Sequence, residues 1–575
     1  MPLISGEISY CDVAYLPIVA AYARRLGVVE EVDRLCPKSR GISAGRIVLA
    51  LILDTLSGRT PLYRLPEAFE DLDTELLLGE RIEPSKLNDD AVGRVLDVIA
   101  EVGTGQILTG VALTAVKIFC LDTSRVHHDT TSHSVYGDYD LYTEVEHGHP
   151  FGVKHGFSKA HRPDLKQFMQ SLVCVDRGIP VLSKLEDGNA SDKKINGSVL
   201  SLIGDYMAMF GVKDFLFVAD SAVITEQNLT LISDKEKGCL FVSRLPLTYN
   251  ECKQAIHRAV LQGAWMDFGV ISPKFSSRKR KAAHYQGFET GVLLYDQPYR
   301  VLVVHSDVYD ERRMKKLEKM LQDDCTEMIA IKSQLERVEF ACLPDAEAAL
   351  SRIGKGRFHE LVGEVLEVPK YGPGRPKRNG ERKPKRFVYR LNLDVTPRVD
   401  QIAAAEEEAG CFVLITNAPK EGPEGIGSKD LLAIYKSQDT VERNFGFLKD
   451  PLIVNSLCLK QPRRIEALGL IFVLALMIWR LMERTMRAAL EQSRSTIPGW
   501  DNKPTSRPTS FMMTTKFRSV KVFRTGSECF LGKPLKPIQR QYLACLGLSE
   551  DVFTSPYARL APAIPKGLRS WETTG

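Results

Sequence analysis

Apolar and polar positions between Leu431 and Lys449 (LLAIYKSQDTVERNFGFLK) follow a helical period. At about 100° per residue, Tyr435, Gln438, Glu442 and Lys449 fall within about 60° of one another. Ile434, Val441, Phe445 and Leu448 form a separate apolar stripe about 80° away, which predicts docking on a core. The spacing therefore predicts one amphipathic helix that aims a phenol, an amide, an acid and an amine the same way. A solvated helix face would show the same stripe, so the pattern alone does not decide.

The rest of the chain changes period several times. Leu16–Leu35 and Ile42–Leu56 have helical spacing, split by the turn at Pro37–Gly41, and Asn88-Asp89-Asp90 predicts the N-cap of a helix to about Val102. Strand-like composition begins at Val116–Leu121 and continues at Val126–Val135. Gln167–Val175 and Pro180–Leu185 flank the turn Asp176-Arg177-Gly178, a hairpin signal. Ser191 or Asp192 then caps a helix through Met209. Phe215–Ala219 reads as a short buried strand ended by Asp220, and Gly238–Leu245 as another. Strand-like pieces recur at Phe268–Ile271, Gly291–Tyr295 and Tyr299–Val304, before a charged helical stretch over about 311–354. Gly410–Asn417 is again an apolar strand, and Ile465–Leu481 is apolar nearly all round, which predicts a central helix. Its charge-free run, Ala467–Trp479, is too short to span a bilayer.

Composition sets bounds without naming a function. A chain of 575 residues with 44% hydrophobic and 26% charged residues predicts several globular domains. Twelve cysteines include no C-x-x-C pair, which disfavours a zinc ribbon or a disulfide framework and leads us to expect a reducing cytoplasm. The first residues lack a basic and apolar leader pattern. Seven of the eleven histidines lie between His127 and His161, without a helical H-x-x-x-H, so a histidine-rich polar loop is expected rather than zinc.

Net charge is only +5, but it is uneven. Residues 1–110 hold 11 Lys and Arg against 17 Asp and Glu; residues 371–390 hold 8 against 1; residues 451–575 hold 19 against 8. A polyanion would thus meet the middle and the C-terminal part. The acidic balance of the first 110 residues leaves two readings of that region open, DNA-end binding or a packing and dimer contact.

Tyr435-x-x-Gln438-x-x-x-Glu442-x-x-x-x-x-x-Lys449 resembles the Y-x-x-R-x-x-x-E-x-x-x-x-x-x-K signature of bacterial insertion-sequence transposases of the DDE type, with Gln438 where that signature usually has Arg. Three further segments resemble the family in order. Asp129, in VHHDTTSHSVYGDY, is similar to the first catalytic aspartate; Asp122, in CLDTS, is a rival with a poorer context. Lys159, Arg162 and Lys166 lie in a segment similar to the family's basic stretch, and Asp220, in DFLFVADS, is similar to the second aspartate. Between Asp220 and Glu442 the chain advances 222 residues, room for an inserted domain.

The resemblance implies an α/β protein: a ribonuclease H-like mixed sheet core with an inserted β-rich domain, a helical N-terminal domain and a helical C-terminal region. The expected boundaries are 1–110, 111–246 for the first part of the core, 247–408 for the insertion, 409–490 for the second part and 491–575 for a basic C-terminal region. It implies a transposase and endonuclease in which Asp129, Asp220 and Glu442 are catalytic and bind two Mg²⁺, with Mn²⁺ as a substitute. Tyr435, Gln438 and Lys449 would bind DNA, together with Lys159, Arg162, Arg278, Lys279, Arg280, Arg375, Lys377 and Arg378. Gly374-Arg375-Pro376 is similar to the core of an AT-hook. Trp265 is expected either to receive a flipped base or to be a packed aromatic. The partners would be transposon-end repeats and target DNA, bound by a homodimer. A DNA-binding remnant without catalysis, and a ribonuclease H-like structure-specific nuclease, are the alternatives.

Overall fold

Strand pairing organises the molecule. The computed structural model describes residues 8–37, 41–135, 139, 151–157, 162–234, 239–271, 283–308, 311–373, 383–450, 459 and 461–558. Contacts divide the chain into two units, Met1–Ser243 with Ile434–Gly575, and Arg244–Ala433.

The first unit is built on strands β1 (Arg125–Val135), β2 (Lys166–Val175), β3 (Ile179–Glu186), β4 (Leu216–Val218) and β5 (Leu240–Leu245), in the spatial order β3-β2-β1-β4-β5. β2 is antiparallel to β1 and β3, whereas β4 is parallel to β1 and β5. The result is a mixed sheet. β2 is buried along nearly its whole length, which suits its run Phe168–Val175 for an inner position.

The two faces of β1 separate by residue parity. Its even positions face helix α1 (Asp192–Met209): His128 Nδ1 lies 3.0 Å from Asn196 Oδ1, and the Thr130 hydroxyl donates to Asp192. Ser191 caps that helix by accepting from the Lys194 amide. The odd positions face helices α2 (Asp439–Leu448) and α3 (Pro462–Ser493).

α3 is the core helix. Its 32 residues are long and apolar enough to cross a membrane, yet 83% of its most apolar window is buried inside the protein. It packs on the helices Ala44–Ser57 and Asp89–Val102 and on β3. Strand Ile8–Cys11 pairs with Val522–Thr525, which pairs with Glu528–Leu531, so N- and C-terminal segments share one small sheet. Asp73 and Arg524, both nearly buried, form an ion pair at 2.7 Å across it. Much of the basic C-terminal segment therefore packs against acidic N-terminal helices, where a partly free tail was expected.

Two expected elements differ. The strand expected at Val116–Leu121 is the end of a helix, Thr104–Phe119, because Leu108, Val111, Ala112, Ala115 and Phe119 bury one helical face. The single helix expected over Leu431–Lys449 is two, Ser428–Lys436 and α2. Ser437 causes the break by donating its hydroxyl to Ile434 O at 2.6 Å, while the amides of Ser437, Gln438 and Thr440 shift to i−3 carbonyls.

The second unit has its own four antiparallel strands, ordered Cys411–Thr416, Gln297–Ser306, His284–Leu294, Met266–Val270. A ribbon of His359–Lys370 with Arg386–Pro397 packs on the short helix Leu343–Ser351 around Ala346, Leu391 and Leu393. The charged helical stretch expected over about 311–354 consists of two helices, Glu311–Leu335 and Leu343–Ser351. This unit runs beyond the expected boundary at 408 because Cys411–Thr416 pairs with Gln297–Ser306.

Candidate active site

Along β1 and β4, Arg125 stands opposite Leu216, Val126 opposite Phe217 and His127 opposite Val218. The pairing ends there with β4; carried two residues further, the same register would bring Asp129 level with Asp220, whose backbone is extended at φ −70° and ψ 175°. Level positions on neighbouring strands share a face, so in that register both acids belong to one face of the sheet, on its inner strands. Each is oriented locally. Asp129 Oδ1 accepts from the Thr130 amide at 2.8 Å, and Asp220 Oδ1 accepts from the Ala222 amide at 3.1 Å. Ser243 on β5 ties down the next link by donating to Asp220 O at 2.8 Å.

α2 lies along the same face of β1. His127 Nε2 is 3.4 Å from Ser437 Oγ, just before α2, and His133 shares a small cavity with Leu448 at its end. Six strand residues span about 20 Å and eleven helical residues about 17 Å, so helix and strand run side by side. Asp129 therefore falls level with the first turns of α2, where Glu442 sits. Asn444 donates to Gly178 O at 2.8 Å and to Cys174 Sγ at 3.3 Å, which places its flank of the helix over β2. Glu442 is about 160° around from Asn444. It thus lies on the flank toward β4, the strand that leads to Asp220. Its carboxylate is exposed and has no side-chain partner among the described residues.

Three carboxylates supply the hard oxygen ligands that Mg²⁺ prefers. Among the described residues, however, no three His, Cys, Asp or Glu side chains stand close enough together to hold a metal ion. The donor chemistry fits the ion; the side-chain arrangement is open.

The surroundings of the acids are dry on the β1 side. Burial, followed by the Arg125 charge, pushes His127 down to about 4. Burial, followed by the Lys449 charge, does the same to His133, whose Nε2 lies 2.8 Å from Gln170 Oε1. Both imidazoles are thus neutral near pH 7, and Lys449 belongs to the electrostatic surroundings of β1. Burial pushes the Cys174 thiol up to about 12, leaving a neutral neighbour under Asn444.

The remaining expected contacts are dispersed. The break before α2 interrupts the stripe between Tyr435, on the preceding helix, and Glu442; Gln438, Glu442 and Lys449 still share one flank within about 40°. Asp122 lies before β1 and accepts from the Ser124 amide and hydroxyl, which makes it a turn acid, whereas Asp129 lies inside the strand. Arg162 is exposed and engaged by Asp164 at 2.6 Å. Trp265 donates to Glu407 at 3.0 Å and packs on Phe288 and His305, the packed-aromatic alternative. Lys159, Arg278, Lys279, Arg280, Arg375, Lys377 and Arg378 lie outside the described residues. Sequence reasoning missed His127 and Asn444. Asn444 left a signal, a polar residue inside the apolar stripe of α2.

Comparison with known proteins adds little to this geometry. A domain of unknown function, DUF4277, matches residues 8–113. No curated protein matches the chain. Among solved structures, a piggyBac transposase synaptic complex with hairpin DNA is similar at a TM-score of 0.34 and 6% identity, over 82% of this chain and 76% of that one.

Proposed function

We propose that this protein is a transposase of the DDE type, which cleaves DNA at the ends of a mobile element and joins the freed ends to target DNA in the cytoplasm. The observation that carries the reading is the parallel register of β1 and β4, which, extended by two residues, would bring Asp129 of β1 level with Asp220 just past β4, with α2 along the same face of β1. The strand order β3-β2-β1-β4-β5, with only β2 reversed, is the arrangement expected of a ribonuclease H-like core.

Asp129, Asp220 and Glu442 would hold Mg²⁺. When bound, the metal activates the attacking oxygen and stabilises the leaving oxygen of an in-line phosphoryl displacement. The chain's own residues do the rest. The Thr130 and Ala222 amides each fix one oxygen of an aspartate, Asp129 inside β1 and Asp220 just past β4. Asn444 seats α2 so that Glu442 keeps the β4 flank. Lys449 supplies positive charge for a phosphate near the far end of α2, and Gln438 supplies hydrogen bonds without charge. Two ends must be joined, so the active species is a homodimer on paired DNA ends.

The open arrangement of the acids favours one second reading, a DNA-binding protein that does not cleave. Cleavage of a labelled duplex carrying the element's terminal repeat, with and without Mg²⁺ or Mn²⁺, separates the two. Wild-type protein is expected to nick and join only with metal, and Glu442→Ala to lose both steps while binding the same duplex. Parallel loss of binding and cleavage in Glu442→Ala, or no metal-dependent product from wild type, overturns the proposal.

A further inference from the structure

Next to Glu442 the chain assembles a cluster of guanidinium groups that its own acids do not neutralise. Arg480 of α3 donates to Asn444 Oδ1 at 2.7 Å and pairs with Glu483 at 2.8 Å. Arg487, two turns on, reaches the same Glu483 at 3.5 Å and donates to Pro508 O at 3.0 Å. Those contacts bring together three segments distant in sequence: the turn of α2 that holds Arg443 and Asn444, the middle of α3, and the loop that holds Arg507 and Pro508. Glu483 is only 6% exposed, and its other oxygen accepts from the Ser510 amide at 3.2 Å, so one buried acid is shared by two arginines. The neighbouring acid, Glu491, pairs with Arg177 at 2.9 Å and also feels the charges of Arg507 and Arg487. Arg177, Arg480, Arg487 and Arg507 thus outnumber Glu483 and Glu491, and Arg443 adds a fifth positive charge near Arg487.

Arg443 and Arg507 are the exposed members. Arg443 makes one bond, to the Asp439 carbonyl of its own helix, and Arg507 has no side-chain partner among the described residues. Burial, together with the charges of Arg507, Arg443 and Arg480, lowers Arg487, as expected where like charges are held close. A solvated arginine pair on a helix surface would spread apart. Here α3 and the 507–508 loop hold the charges together on the side of α2 that carries Arg443.

We infer that Arg443 and Arg507, backed by Arg487, form a binding site for the phosphate backbone of duplex DNA beside the Glu442 flank. The chemistry is that of guanidinium forks on phosphate oxygens, with no base reading. The site rests on the proposed function for its choice of DNA among polyanions. It also extends that reading, because neither arginine belongs to the Tyr435–Lys449 signature.

The test uses the full chain and a duplex of arbitrary sequence, with affinity measured across a salt series. Two lost phosphate contacts predict that Arg443→Ala/Arg507→Ala flattens the slope of log affinity against log salt by about 1.8. Affinity at fixed salt is expected to fall by about tenfold, with Arg443→Lys/Arg507→Lys recovering most of the slope. Thermal melts of both variants should match wild type, since both side chains are exposed. An unchanged slope in the alanine variant, or a wild type that binds no duplex at low salt, overturns the site. The slope needs no cleavage. A flattened slope in a protein without metal-dependent cleavage would keep this site and remove the transposase reading; active cleavage with an unaltered slope would do the reverse.

Discussion

At the scale of single residues, the candidate acids leave a plainer trace in the sequence than their surroundings do. Asp220 closes the apolar run Phe215–Ala219, which can be read from composition alone, whereas Asp129 follows two histidines inside β1 and is marked only by its resemblance. His127 could not be distinguished from its histidine neighbours, because its role depends on a contact with Ser437 more than 300 positions away. Its Nδ1 is buried without a hydrogen-bond partner, and the ring is held neutral. That state has a consequence for stability. His127 and His133 both titrate at about 4 in the folded chain, against about 6.5 when unfolded. Between those values the unfolded chain binds protons that the folded chain refuses, so stability falls as pH drops. The loss is expected to begin near pH 6.5 and to level off, for these two groups, below about pH 4. Denaturant titrations across that range check it, and His127→Gln should make the fall shallower. A His127→Gln profile parallel to wild type would show that the acid sensitivity lies elsewhere.

At the scale of elements, the helix that organises the site was legible as an amphipathic pattern but not as a broken one. The apolar stripe of Val441, Phe445 and Leu448 does face the core. The break at Ser437 was hidden because a hydroxyl that bonds its own i−3 carbonyl leaves no trace in hydrophobic periodicity. Strand Val116–Leu121 failed for the opposite reason: β-branched composition there outweighed a weaker helical spacing. What seats α2 is the β2–β3 turn, where Asp176, Arg177 and Gly178 all have positive φ, at 32°, 62° and 92°. Gly178 is required at its place, since a Cβ there would lie 3.0 Å from Thr440 Cβ in addition to the strained backbone. Asn444 closes the contact and also accepts from Arg480. Asn444→Ala leaves the Gly178 carbonyl and the Arg480 guanidinium each short of one bond, a cost of about 2 kcal/mol. Chemical denaturation should read that loss, and amide exchange should show it concentrated in α2. A uniform loss across the first unit would mean that the turn is not the local seat of the helix.

At the scale of the whole chain, the charge asymmetry turns out to have an internal use. The acidic first 110 residues were expected to form a domain of their own, and the basic C-terminal region to face DNA or a second subunit. Asp73 pairs with Arg524, Asp12 with Lys521 and Asp97 with Arg464, so part of each excess neutralises the other. The helix Ala44–Ser57, buried along nearly its entire length, and Asp89–Val102 cover α3, whose middle is apolar on all sides. These facts make a prediction about truncation. A chain lacking residues 1–110 would expose the α3 surface that those helices cover, remove one of the two partner strands of Val522–Thr525, and leave Arg524 without Asp73. Exposed apolar surface of that kind drives association, and an unpaired buried charge costs about 3–5 kcal/mol. Residues 111–575 alone are therefore expected to aggregate, read as loss from the soluble fraction and elution in the void volume on size exclusion. The full chain at equal concentration should remain disperse. A soluble 111–575 fragment with a cooperative melt would show instead that the N-terminal helices are an accessory layer, and that α3 finds its core in the sheet alone.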